Sequence, residues 1–195
     1  MTEQFIENYK TDALEAFRNY KKLAERALEQ IKTDDEYFRA LDAESNSLAV
    51  IVKHVGGNLR SRWTRFLTTD GEKADRNRDS EFVTESDTRA SLTELWEVGW
   101  NALVSTLESL TVTDFDKTVK IRGEDFSVLK AVNRALAHTA YHVGQIAFLA
   151  KHLRASDWKN LSVPRGQSGE FNVYLAENKG KTHYLEATQD FAEKK

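Results

Sequence analysis

A chain of 195 residues, 40% hydrophobic and 30% charged with a net charge of -3, is the size of one domain that buries most of its core; that balance suits neither a disordered chain nor a nucleic-acid binder. With no cysteine, disulfides, thiolate metal ligands and a cysteine nucleophile are excluded. No long apolar run occurs, and Met1-Thr2-Glu3-Gln4-Phe5 lacks a secretory pattern, so a cytoplasmic protein with no membrane segment is expected.

Taken in chain order, Phe5, Tyr9, Ala16, Tyr20, Leu23, Ala27 and Ile31 recur at three- and four-residue steps between charged residues, which predicts one long amphipathic helix from Glu3 to Ile31. Thr33-Asp34-Asp35 breaks it. A second helix is predicted from Ser45-Asn46-Ser47, whose side chains suit an N-cap, with Leu48, Ile51, Val52, Val55 and Leu59 as its core face and His54 on the flank. Gly56 and Gly57 follow at once. Inside a helix each glycine costs about 1 kcal/mol relative to alanine. Either they clear space beside His54 for a ligand or a close helix neighbour, or the helix ends or bends there.

Arg60 to Leu67 can prolong this helix before Thr69-Asp70-Gly71 turns the chain. The acids Asp70, Glu72, Asp75 and Asp79 lack calcium-loop spacing and are interleaved with Lys73, Arg76 and Arg78, so the stretch 68–82 reads as a solvated loop. A third helix is expected from Asp87-Thr88 or from Ser91, where Ser91-x-x-Glu94 has capping-box spacing. Its inner face is Leu92, Leu95, Trp96, Gly99, Leu103, Leu107 and Leu110. Val119 and Ile121 then alternate with polar residues, and Gly123-Glu124 can turn the chain back to Phe126, predicting a short hairpin. Ser127 caps a fourth helix with the stripe Val128, Val132, Ala135, Thr139, Val143, Ile146, Ala150 and Leu153.

These elements predict an all-α protein: a four-helix bundle over residues 1–175, with a short β-hairpin before the fourth helix and a polar tail or short helix over 176–195. His138 and His142 are one turn apart on one helix face and border the seam with a neighbouring helix. With His54 they offer three imidazoles, which leaves a coordination position open to water or substrate. The same three can equally be structural histidines at helix seams. His152 and His183, near a helix end and in the tail, are weak candidates. Thr139 stands where a zincin needs its general-base glutamate, and no Glu-x-x-His occurs, which removes thermolysin-like and di-iron patterns.

A histidine on the second helix followed by His138-x-x-x-His142-Val143-Gly144-Gln145-Ile146 on the fourth resembles the DinB superfamily of bacterial metal-binding four-helix bundles, over residues 1 to 155. The resemblance implies a divalent metal, zinc or nickel, held by His54, His138 and His142. It implies a small-molecule substrate and, by similarity to bacillithiol S-transferases and a mycothiol-dependent maleylpyruvate isomerase, transfer of a low-molecular-weight thiol or a related hydrolysis. A carboxylate of thiol or substrate would then meet Arg165, or one of Arg60, Arg62 and Arg65, unless each is only a surface ion pair. The alternative of another class is a non-catalytic, stress-related metal-binding homodimer, paired through the aromatic-rich first and third helices.

Overall fold

The computed structural model describes residues 2–180 and 184–194. Seven α-helices and one hairpin follow in order: α1 Glu3–Leu28, α2 Asp34–Phe38, α3 Leu48–Trp63, α4 Arg89–Ser109, β1 Thr118–Ile121, β2 Glu124–Ser127, α5 Val128–Arg154, α6 Ser168–Glu177 and α7 Tyr184–Glu193. Four of these, α1, α3, α4 and α5, form the bundle. α3 lies mainly against α4, and α1 against α5; contacts of α3 with α5 and of α1 with α4 close the ring. None of the described helices is long and apolar enough to cross a membrane.

Side-chain caps set the helix starts. Ser47 Oγ accepts from Val50 N at 3.2 Å and Ser127 Oγ from Lys130 N at 3.2 Å, so α3 and α5 begin where the sequence places them. α4 begins at the first of its two predicted starts. Thr88 is its N-cap, accepting from Ser91 N at 3.1 Å while Ser91 Oγ accepts from Thr88 N at 3.0 Å; Ser91 closes the capping box and does not open one with Glu94. The first helix ends at Leu28, short of Ile31, and Thr33, which breaks the periodicity, caps the extra helix α2 in a box with Glu36.

The core joins Phe17 of α1, Leu48, Val52, Val55, Leu59 and Trp63 of α3, Trp100, Leu103 and Leu107 of α4, and Val143 and Ile146 of α5. Neither glycine of α3 ends it; the helix runs on to Trp63. Gly56 is there because α4 lies on it: a Cβ on Gly56 would meet the Leu95 carbonyl oxygen at 2.9 Å, and one on Gly99 would meet the Gly56 carbonyl oxygen at 2.5 Å. Gly99→Ala therefore forces α3 and α4 apart. It is expected to cost about 1–3 kcal/mol, read as a fall of several degrees in melting temperature; an unchanged melting temperature would contradict this close approach.

The hairpin turns one residue earlier than the sequence suggests, at Arg122 and Gly123, with φ of 57° and 79°, and Glu124 already pairs with Ile121. Positive φ at both central residues gives the twist of a tight two-residue turn. At the other end of the chain, α6 and α7 bury Phe171, Ala187 and Phe191 in a small apolar cluster of their own.

Candidate metal centre

Two helices supply the site. His54 stands two turns into α3, and His138 and His142 stand one turn apart in the middle of α5. Their Nε2 atoms converge: His138 Nε2 lies 3.3 Å from that of His54 and 3.2 Å from that of His142. The rings meet edge to face, with centroids 4.5 to 5.3 Å apart.

The other ring nitrogens decide which protons are present. Glu81 Oε2 lies 2.8 Å from His54 Nδ1. Burial pushes the Glu81 carboxyl up, but hydrogen bonds from His54 and Arg76 outweigh it and hold its pKa below the usual value. Glu81 is therefore an acceptor, and His54 Nδ1 carries the hydrogen. Gln145 Oε1 faces His142 Nδ1 at 2.8 Å and fixes the same tautomer there. Both partners thus turn an Nε2 lone pair toward His138. Burial, with the two neighbouring imidazoles and Arg134 and Arg76 adding to it, takes His138 down to about 3, so its ring is neutral at neutral pH. A single His138 Nε2–H can serve only one of the two lone pairs, and a cation serves all three.

The spacing fits as well. Bonds of about 2.0–2.1 Å at tetrahedral angles put neighbouring nitrogens roughly 3.3–3.4 Å apart, close to the separations found here. Among the described residues His54, His138 and His142 are the group of such side chains able to hold a metal ion. Three imidazole ligands leave one tetrahedral position to a ligand from outside the chain.

A family model described as protein of unknown function (DUF1572) matches residues 4–167. The chain belongs to the DUF1572 family. No curated protein and no solved structure matches it. The DUF1572 match takes in all three histidines, Glu81 and the arginines around them, and stops before α6.

The segment 68–82 of this DUF1572 chain is a solvated loop only in part: Asp75 and residues 77–80 are exposed, whereas Gly71 and Glu81 are buried. It is a strap that reaches from the end of α3 over the hairpin and back to His54. Asp70 accepts from the amides of Arg122 at 2.8 Å and Gly123 at 2.7 Å, pinning the strap to the hairpin turn. Gly71 N donates to Lys120 O at 2.8 Å, and Ser61 Oγ donates to Gly71 O at 2.7 Å. Arg76 ties the strap together: its guanidinium grips both Glu81 oxygens, Nε to Oε1 at 2.8 Å and Nη2 to Oε2 at 2.9 Å. The side chains of Arg76 and Glu81 are only 3% and 7% exposed. Phe82, next in the chain, lays its ring 5.4 Å from that of His54.

Glu81 is the residue of the candidate site that the sequence reading missed. Its trace was Gly57, one helical turn past His54: a Cβ there would meet Glu81 Oε1 at 2.7 Å, so this glycine makes room for the carboxylate that orients a ligand histidine.

The candidate arginines divide sharply. Arg60 pairs with Asp75 at 3.2 Å on the surface, and Arg65, exposed with φ 48°, stands where the chain leaves α3. Arg62 is buried beside the pocket that reaches His138. Arg165 is exposed on the loop before α6. Its neighbours Pro164 and Gln167 line a different cavity, with Arg26, Arg154 and Trp158, which includes none of the three histidines; Arg154 lies about 18 Å along α5 from His142. His152 is likewise outside the triad, and His183 lies outside the described residues.

Proposed function

We propose that this protein is a divalent-metal-dependent enzyme, with zinc or nickel at His54, His138 and His142, that transfers a low-molecular-weight thiol such as bacillithiol to a small electrophilic substrate. The observation that carries this reading is the convergence of three Nε2 atoms, two of them on rings whose tautomers are fixed from behind, in a group of three possible ligands among the described residues. An ion bound there would lower the pKa of a thiol or water and act as a Lewis acid. The chain's own residues prepare that position. Glu81 and Gln145 hold two imidazoles with their lone pairs inward, Arg76 keeps Glu81 charged and in place, and Phe82 shields the His54 side.

Hydrolysis by a metal-bound water is the weaker reading, because it needs a free carboxylate base. Glu81 is the carboxylate at hand, and both of its oxygens are already engaged by His54 and Arg76. The non-catalytic homodimer is also less well supported on the surfaces first considered: Phe17, Trp96 and Trp100, aromatic residues of α1 and α4, are core residues with at most 3% exposure. Exposed aromatic side chains lie at the start of α1, at Phe5, and on α5, at Tyr141 and Phe148.

Thiol transfer makes a direct prediction. Metal-loaded protein conjugates an electrophile such as a chlorinated nitroarene to bacillithiol, followed by absorbance. His142→Ala or metal-stripped protein falls to the uncatalysed rate; activity that survives both treatments rules the proposal out.

A further inference from the structure

Two helix faces run side by side away from the triad. On α3, His54, Asn58 and Arg62 follow at one-turn steps; on α5, His142, His138 and Arg134 do so in the opposite sense. Asn58, Arg62, Arg134 and His138 all line one narrow pocket, closed by Gly71, Lys120 and Ile121. The arginines thus face each other one to two helical turns from the metal ligands, roughly 6–12 Å along the helices.

Arg62 is not fully satisfied. Arg62, with a side chain 8% exposed, gives Nη2 to Glu72 Oε2 at 3.0 Å, while its buried Nε and Nη1 have no partner. Gly71 packs closely beside it: a Cβ there would come within 3.3 Å of Nη1. The same Glu72 oxygen is shared with Arg76 at 3.1 Å and Arg122 at 3.3 Å, so one carboxylate oxygen serves three guanidinium groups. Arg134 is exposed and makes no ion pair among the described residues, and its charge is felt at both Arg62 and His138. Buried unpaired guanidinium donors are costly, and a guanidinium is matched by a planar carboxylate through paired N–H donors.

We infer that Arg62 and Arg134 form a subsite for a carboxylate, carried by the molecule whose other end takes the open metal position. The pocket is too narrow for a bulky head group, and the positive charge left over by Glu72 selects an anion. This subsite rests on the metal reading above and adds the class of ligand, a small carboxylic acid with a metal-binding group a few bonds away.

The test uses the full chain loaded with cobalt(II), whose visible absorption reports the metal's ligands. 3-Mercaptopropionate and its neutral analogue 3-mercaptopropionamide are titrated against wild type, Arg134→Gln and Arg62→Gln. The acid is expected to weaken about tenfold in each variant, the loss of one charge-assisted contact, while the amide is unchanged. Because both probes bring the same thiol, the comparison isolates the carboxylate, and an unperturbed cobalt spectrum before titration certifies the fold of each variant. If wild type and both variants bind cobalt normally and acid and amide respond alike, the subsite is overturned and the metal centre stands. If wild type takes up no cobalt, the metal reading fails and the subsite with it.

Discussion

A His138→Ala variant is expected to lose metal affinity by more than the roughly 10–100-fold that removal of an outer partner costs a metal site. His138 is the middle of the three: its Nε2 is the atom that approaches both of the others, at 3.3 and 3.2 Å. Without it, His54 and His142 offer two nitrogens from two different helices, and the third donor is gone. Competition against a chromophoric chelator reads the affinity directly. A second readout separates ligand loss from misfolding. In wild type, zinc binds the folded state and raises the melting temperature by mass action. In the variant this rise disappears, whereas the metal-free melting temperature stays near that of wild type, because the deleted ring is only half-buried and faces two lone pairs. A variant that still gains stability from zinc as wild type does would contradict the assignment of His138.

Glu81→Ala is expected to damage both fold and metal site. The carboxylate is the shared acceptor of His54 and Arg76. Its removal leaves the Arg76 guanidinium, 3% exposed, with a single remaining contact to Glu72 at 3.1 Å. Stranding one partner of a buried pair costs about 3–5 kcal/mol, part of which Glu72 offsets here. His54 Nδ1 also loses its acceptor, so the ring is no longer fixed with Nε2 inward, and metal affinity drops by roughly 10–100-fold. Glu81→Gln keeps the shape and an acceptor oxygen but not the charge. It is expected to restore most of the metal affinity and little of the stability, since an amide answers His54 better than it answers a buried arginine. Denaturant unfolding and chelator competition on the same two variants check the pair of effects. Equal losses of stability in Ala and Gln variants, with metal affinity untouched in both, would show that Glu81 serves only Arg76.

Periodicity made the bundle legible. The apolar steps of the long helices, the serines at 47 and 127, and the alternation around Val119 and Ile121 each reflect a local rule, and local rules are what a single sequence displays. His54, His138 and His142 were legible for a similar reason: a one-turn spacing puts two rings together, and the third lies on the flank of a neighbouring core face. What stayed hidden depends on long-range pairing. The strap from Thr68 to Phe82 shows alternating charges, a pattern that an exposed loop and a chain of buried ion pairs share. Only the fold tells them apart, by setting Arg76 beneath Glu81 and Asp70 over the hairpin turn. Gly56 and Gly57 carried a trace of both facts, since one gives way to α4 and the other to Glu81, but a glycine records that space is needed and not what fills it. Arg62 is the same case. Nothing in Arg60-Ser61-Arg62 distinguishes the surface arginine paired with Asp75 from the buried one beside His138; a helix rotation of about 200° between them does.

The most direct test of the central claim is the metal content of untagged protein, by plasma mass spectrometry after zinc or nickel is offered and excess removed, in wild type and in a His54→Ala, His138→Ala, His142→Ala triple variant. The arrangement of the three Nε2 atoms predicts about one metal ion per chain in the wild type and none in the variant. Negligible metal in both, or the same amount in both, would mean that these histidines hold helices together and bind no ion.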